Sequence, residues 1–117
     1  LNIKVMGSQV KAICKCGLNK KILIGGGRLN HLLINYYPFL CIECQDLVQA
    51  NLLEEIPICP DCSSTDLYSY TSQELIGEKG KVKIVKWGDN YLTNGTYKCP
   101  KCKEMTLQFF EGDILWD

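Results

Sequence analysis

Four close pairs of cysteines constrain the fold of this chain more than any other feature. They contain all eight cysteines of the 117 residues and are Cys14/Cys16, Cys41/Cys44, Cys59/Cys62 and Cys99/Cys102. Two cysteines separated by one or two residues can direct both sulfurs at one metal ion from a single tight turn, and two such turns complete a shell of four thiolates. The sequence therefore predicts two four-cysteine sites, in which all eight cysteines bind two zinc ions.

Two other uses of the cysteines compete with zinc binding. The same ligands suit iron, and an even cysteine count in a small chain also fits a secreted protein held together by disulfides. We favour metal because such close pairs are suited to chelation and no secretory signal precedes them. A chain of 13.2 kDa divided into small lobes also buries little apolar area, so we expect metal to stabilise the fold.

Apolar runs flank the cysteine pairs and predict short strands. Residues 10–13 and 21–24 flank the first pair, residues 46–55 follow the second, and residues 66–70 and 105–110 follow the third and the fourth. The run at 46–55 is compatible with a helix or a strand, and we choose a strand because the other pairs are also followed by one. These runs predict a small β-rich fold of mostly antiparallel strands with little helix.

Three further segments give local predictions. Residues 81–87 alternate lysine with apolar side chains and predict a strand with one solvated face. Asn94-Gly95 is typical of hairpin turns and predicts that residues 91–92 pair with residues 96–98. Thr71-Ser72-Gln73-Glu74 predicts a capping box on a single helical turn.

Three features are given structural rather than functional interpretations. His31 is the only histidine, and it is expected to be a surface or packing residue because eight cysteines already fill two sites. Gly25-Gly26-Gly27 lacks the spacing of a phosphate-binding loop, so it is expected to form a flexible loop that ends a strand. Trp116 is expected to pack against the fold.

The cysteine motifs resemble those of the zinc-ribbon superfamily. The segment Phe39-Leu40-Cys41-Ile42-Glu43-Cys44 is followed, after 14 residues, by Cys59-Pro60-Asp61-Cys62-Ser63-Ser64, and the same knuckle recurs as Cys99-Pro100-Lys101-Cys102. Cys14-Lys15-Cys16 departs from the pattern because one residue separates its ligands. The resemblance implies two zinc-ribbon-like lobes and a binding rather than a catalytic role.

Three groupings of the cysteine pairs remain open. A nested grouping joins the middle pairs into an inner ribbon at about residues 39–70, and the outer pairs into a second ribbon from about 9–28 plus 80–117. A tandem grouping gives ribbons at 9–56 and 57–117, and a cross-braced grouping joins alternate pairs. We favour nesting because closing the shortest gap costs the least chain entropy, and we expect residues 1–117 to form a single compact unit.

Charged residues are segregated along the chain although the net charge is zero. Residues 29–78 contain eight acids and no Lys or Arg, so nesting predicts an inner lobe of charge −8 and an outer lobe of charge about +8, metal sites excluded. Lysines beside aromatic residues can bind phosphates and bases, which makes five residues nucleic-acid-binding candidates: Lys15, Lys98, Lys101, Lys103 and Trp87. The same lysines could instead offset the formal charge of about −2 on a four-thiolate zinc site.

The sequence predicts a non-catalytic zinc-binding module that binds a macromolecule. Both a protein and a nucleic acid remain open as partner, although zero net charge and a single arginine argue against a dedicated nucleic-acid binder. Catalysis is not expected because four thiolates leave no open position on the metal, and the alternative is a thiol redox or rubredoxin-like electron-transfer protein. No membrane span or small-molecule substrate is evident, and metal-binding thiols favour the cytoplasm.

Overall fold

The computed structural model describes residues 7–26, 33–87 and 89–112. Within these residues the chain forms one 3₁₀ turn at Gln73–Leu75 and eight strands, which are β1 Ser8–Cys14, β2 Asn19–Ile24, β3 Tyr36–Cys41, β4 Asp46–Asn51, β5 Leu67–Ser69, β6 Lys83–Trp87, β7 Asn90–Thr93 and β8 Leu107–Glu111. All pairings between these strands are antiparallel, which confirms the predicted β-rich fold. No helical segment in the described part of the chain is long and apolar enough to cross a membrane.

Two three-stranded sheets have the same topology. Their strand orders are β2-β1-β8 and β4-β3-β5, so in each sheet the first strand lies in the middle and ends at the first cysteine of a cluster. Cys14 lies opposite Leu107 and Cys41 lies opposite Leu67, and each of these leucines comes five residues after the last cysteine of its cluster. We call the sheet β2-β1-β8 with its cysteines the outer lobe, and the sheet β4-β3-β5 with its cysteines the inner lobe.

The central strand of the outer lobe, β1, alternates buried and accessible side chains. Val10, Ala12 and Cys14 point into the core, whereas Lys11 and Ile13 lie on the other face. By contrast, β3 of the inner lobe is buried on both faces over almost its whole length. Its buried side chains are apolar or aromatic, as expected of a strand that is covered on both sides.

An aromatic cluster joins the two lobes. Tyr70, which follows β5, meets Tyr97 and Phe109 edge to face, with ring centroids 6.0 and 5.6 Å from its own, respectively. The Tyr70 hydroxyl also donates a hydrogen bond to the carbonyl of Lys98, with an oxygen–oxygen distance of 2.7 Å. A second link is the antiparallel bridge between Gly25 and Tyr36. The lobes therefore share one buried core.

The predicted hairpin at Asn94-Gly95 is wrong. β7 pairs with β6 instead, and Tyr97 forms bridges with Ile76 and Leu107. Neither Asn94 nor Gly95 has the positive φ that a type I′ hairpin turn requires. A Cβ at Gly95 would overlap the carbonyl oxygen of Glu78, so the glycine allows two backbone segments to approach each other rather than reversing the chain.

The single helical turn is present, but the predicted capping box is wrong. The turn at Gln73–Leu75 is a 3₁₀-helix, and its N-cap residue Ser72 makes no side-chain capping hydrogen bond. The Thr71 hydroxyl instead contacts the hydroxyl of Ser69. A turn of three residues leaves few backbone N–H groups for a capping side chain to satisfy. The predictions for His31 and Trp116 lie outside the described residues.

Candidate metal centres

The outer lobe brings together the first and the last cysteine pairs. Cys14 ends β1, Cys16 lies two residues later, and Cys99 and Cys102 come from the knuckle before β8. The Sγ atoms of Cys14 and Cys102 are 3.7 Å apart, and those of Cys16 and Cys99 are 3.6 Å apart. All four sulfurs lie within 4.8 Å of one another.

The inner lobe brings together the two middle pairs. Cys41 ends β3, Cys44 belongs to the turn before β4, and Cys59 and Cys62 come from the knuckle before β5. The Sγ atoms of Cys41 and Cys62 are 3.6 Å apart, and those of Cys44 and Cys59 are 3.7 Å apart. Of the three groupings considered from sequence, the clusters correspond to the nested one.

The sulfur spacing in both clusters fits a tetrahedral metal site. Zinc–sulfur bonds of about 2.3 Å around a tetrahedron place neighbouring sulfurs roughly 3.8 Å apart. The observed separations of 3.6 to 3.7 Å are close to that value, and they are far from the roughly 2.05 Å of a disulfide bond. All eight cysteines are free thiols. Each cluster could therefore hold one metal ion.

A residue with positive φ closes every cysteine turn. In the three Cys-x-x-Cys knuckles the residue after the second cysteine donates its N–H to the carbonyl of the first cysteine at 2.9 Å; these residues are Gln45, Ser63 and Lys103, with φ of 52°, 64° and 67°. In the shorter first turn, Gly17 donates the equivalent bond to Cys14 and has φ of 110°. The glycine therefore lets a turn with one residue fewer direct two sulfurs to the same side.

Backbone N–H groups donate to sulfur in both clusters, and the outer cluster also has a side-chain hydroxyl beside a sulfur. The Thr106 hydroxyl lies 3.1 Å from the Sγ of Cys14, whereas in the inner cluster the backbone N–H groups of Cys44 and Asp61 approach Cys41 and Cys59 at 3.4 Å. Donors near a sulfur favour the thiolate, which is the form that binds metal. Thr106 was not identified from the sequence, because its role depends on the pairing of β1 with β8.

The thiols of the outer cluster differ in pKa. Burial tends to raise the pKa of Cys14, but hydrogen bonds from the Cys16 backbone and from Thr106 outweigh burial and lower it to about 6. Burial raises the pKa of Cys99 to about 12. Four adjacent thiols cannot all ionise easily because like charges repel, and a bound cation removes this obstacle.

The lysines proposed to bind nucleic acid occupy different environments. The Nζ of Lys101 lies 3.7 Å from a carboxylate oxygen of Asp46, and the Nζ of Lys103 donates hydrogen bonds to Gln45 Oε1 at 3.2 Å and to the Pro100 carbonyl at 2.9 Å. Both lysines therefore contact the inner lobe, and Lys103 also contacts its own knuckle. No ion pair within the described residues involves Lys15 or Lys98. The backbone of Trp87 ends β6.

The fold and the clusters define a small β-rich, two-lobed protein with two tetracysteine sites. Comparisons of the chain with protein-family models, with curated proteins and with solved structures found no match.

Proposed function

We propose that this chain is a non-catalytic module in which two zinc ions hold a small β-rich fold that binds another macromolecule. The sulfur spacing in the two clusters, 3.6 to 3.7 Å between closest neighbours, carries the proposal. A zinc ion with four thiolates has no open position for water or substrate, so such ions stabilise folds rather than catalyse reactions.

The repeated topology supports the assignment of both lobes to zinc ribbons. In each lobe a strand leads into a cysteine turn, a second strand leaves it, and a second knuckle supplies the last two sulfurs and a third strand. Ribbons of this kind usually serve binding. The partner is a protein or a nucleic acid, and eight thiols that act as metal ligands suit a reducing compartment such as the cytoplasm.

Metal content tests the structural part of the proposal. The purified protein should contain two zinc ions per chain by native mass spectrometry and elemental analysis, and verified removal of both ions should abolish the strand signal in circular dichroism. Cys14→Ser/Cys16→Ser and Cys41→Ser/Cys44→Ser should each retain one ion. The control Thr65→Ala changes an exposed residue close in sequence to the inner cluster and should retain two.

Two outcomes would contradict this part of the proposal. Iron as the main metal would favour a rubredoxin-like electron carrier, because iron uses the same four thiolates. Native structure that persists without metal would show that the core is sufficient alone.

The binding part of the proposal is tested by capture from source-cell extract with and without nuclease. Recovery of neither a protein nor a nucleic acid would count against it.

A further inference from the structure

A cavity of about 360 Å³ lies beside the β6–β7 hairpin, outside both cysteine clusters. Its lining includes the buried residues Tyr70 and Tyr97. Lysine side chains and the half-exposed ring of Tyr91 line it closer to solvent. The volume lies within the range of about 300 to 1,000 Å³ that is typical of ligand sites.

One wall of the cavity is held rigidly. Residues 77–82 run along residues 93–96 and are fixed to them by hydrogen bonds, which join Gly77 N to Thr96 O (2.8 Å), Thr96 N to Glu78 O (2.9 Å), Glu78 N to Thr96 Oγ1 (2.8 Å), Gly80 N to Thr93 Oγ1 (3.2 Å) and Asn94 N to Val82 O (2.9 Å). Because these bonds already fix the backbone of this segment, a ligand that binds against it loses entropy mainly by ordering the lysine side chains.

The charge of the cavity favours an anion. Lys79, Lys81 and Lys83 line it, and no ion pair in the described part of the chain involves any of them. Asp89 is the only carboxylate among the described lining residues. A concave surface with an excess of positive charge attracts anions and raises their local concentration.

The cavity also offers an aromatic ring beside the lysines. The Nζ of Lys83 lies 4.5 Å from the centroid of the Tyr91 ring, and 44% of Tyr91 is exposed. Because this ammonium group lies over one face of the ring, a planar group would stack on the opposite face or displace the ammonium group, and its substituents would be within reach of Lys83. Gln73 and Asn90 add amide groups to the lining, which can form hydrogen bonds with a polar ring edge.

We propose that this cavity binds a nucleotide unit of single-stranded nucleic acid, with the base on Tyr91 and the phosphates on Lys79, Lys81 and Lys83. Aromatic stacking next to lysine–phosphate contacts is the chemistry that single strands require. A base can enter a cavity only when it is unpaired and unstacked, which excludes an intact duplex. This inference rests on the proposed binding role and names its site and partner.

Binding to labelled oligonucleotides tests the proposal. The zinc-loaded protein should bind fluorescein-labelled oligo(U) or oligo(dT) of about 12 nucleotides at least tenfold more tightly than a duplex of the same length, as measured by fluorescence anisotropy. The affinity should fall with salt because bound phosphates release counterions. Absence of binding to any of these oligonucleotides at low salt would overturn the proposal.

Matched charge variants locate the site. Lys79→Gln/Lys81→Gln/Lys83→Gln should weaken binding about tenfold or more and lower the salt slope by roughly 0.7 for each lysine that contacts a phosphate. The control Lys11→Gln/Lys20→Gln/Lys21→Gln removes the same charge from residues of β1 and β2, outside the cavity, and should change affinity less than about threefold. Equal losses in the two variants would show a diffuse electrostatic effect and overturn the assignment.

Two variants of one residue test the stacking contact. Tyr91→Ala should weaken binding about tenfold, because base–aromatic stacking is lost, whereas Tyr91→Phe should retain most of the affinity. Backbone amide shifts on addition of oligo(U) should centre on residues 79–83 and 90–93 in NMR spectra. Shifts confined to the cysteine turns would contradict the site without any substitution.

Two further measurements are needed. One distinguishes a strand from a free nucleotide as the ligand, and the other distinguishes loss of binding from loss of metal. Free uridine monophosphate should bind more weakly than the oligonucleotide, and equal affinity would overturn the assignment to a strand. Every variant is assayed with its two metal ions counted. A protein that keeps both zinc ions but binds no oligonucleotide would overturn this inference and leave the zinc assignment intact.

Discussion

At the scale of single residues, backbone conformation determines how the cysteine turns close. Gln45, Ser63 and Lys103 adopt φ values of 52° to 67°, which non-glycine residues reach at a modest cost. Gly17 adopts 110°, a value that side-chain-bearing residues rarely take. The unusual Cys14-Lys15-Cys16 spacing is therefore coupled to the glycine that follows it.

Substitution of Gly17 should test this coupling without steric interference. A Cβ at position 17 would meet no atom within 4 Å, so Gly17→Ala changes the conformational cost alone. We expect the free energy of unfolding of the zinc-loaded protein to fall by about 1 to 2 kcal/mol, as measured by urea denaturation. Ser63→Gly, at a φ of 64° in the inner lobe, is the control and should have a smaller effect. Equal effects would contradict the argument.

At the scale of elements, the sequence predicts those strands and turns that local interactions determine. Strands next to the cysteine turns were predicted correctly, because apolar runs and tight turns are local signals. The Asn94-Gly95 hairpin was wrong because Gly95 serves a contact with residues 78–80, a segment about 15 positions earlier in the chain. The lysine-lined cavity was also missed, since it forms only when residues 70–83 and 89–97 come together.

Gly95 provides a test of this non-local contact. Gly95→Ala would press a methyl group against the Glu78 carbonyl and against the backbone of Gly80. We expect a loss of about 1 to 3 kcal/mol in the free energy of unfolding of the zinc-loaded protein. Gly17→Ala is a useful comparison, because it has open space but an unfavourable φ, whereas Gly95 has neither open space nor a positive φ. An unchanged stability for Gly95→Ala would contradict the packing argument.

At the scale of the whole molecule, the acidic segment 29–78 meets basic residues of the outer lobe at Asp46. Its carboxylate accepts a hydrogen bond from Lys20 of the outer lobe at 2.9 Å and lies 3.7 Å from Lys101. Burial tends to raise the pKa of Asp46, but the hydrogen bond from Lys20 outweighs it and holds the pKa below its usual value. The ion pair therefore contributes to stability above the ordinary carboxyl pKa, and this contribution is lost as pH falls through the lowered one.

Opposite charges around the two clusters would also make their affinities for metal unequal. Metal binding converts four thiols into a site of formal charge about −2, which a basic lobe favours and an acidic lobe opposes. The repeated topology adds a local difference, because Thr106 and Asp66 occupy equivalent positions four residues after Cys102 and Cys62. Thr106 provides a hydroxyl 3.1 Å from the Sγ of Cys14, whereas the equivalent residue of the inner lobe, Asp66, has no side-chain hydroxyl of this kind.

Acid should therefore release the inner metal at a higher pH than the outer one. In native mass spectrometry across a pH series, we expect an intermediate with one ion, retained by the outer cluster. The single-site variants should show the same order, with Cys14→Ser/Cys16→Ser losing its remaining ion at the higher pH. Thr106→Val removes a bond that favours the Cys14 thiolate. A bond to a charged group contributes roughly 1.5 to 3 kcal/mol, and release of the metal takes up four protons, so the outer midpoint should rise by about 0.3 to 0.5 of a pH unit. Thr65→Val, at an exposed residue, should leave both midpoints unchanged, and simultaneous release of both ions would contradict the electrostatic argument.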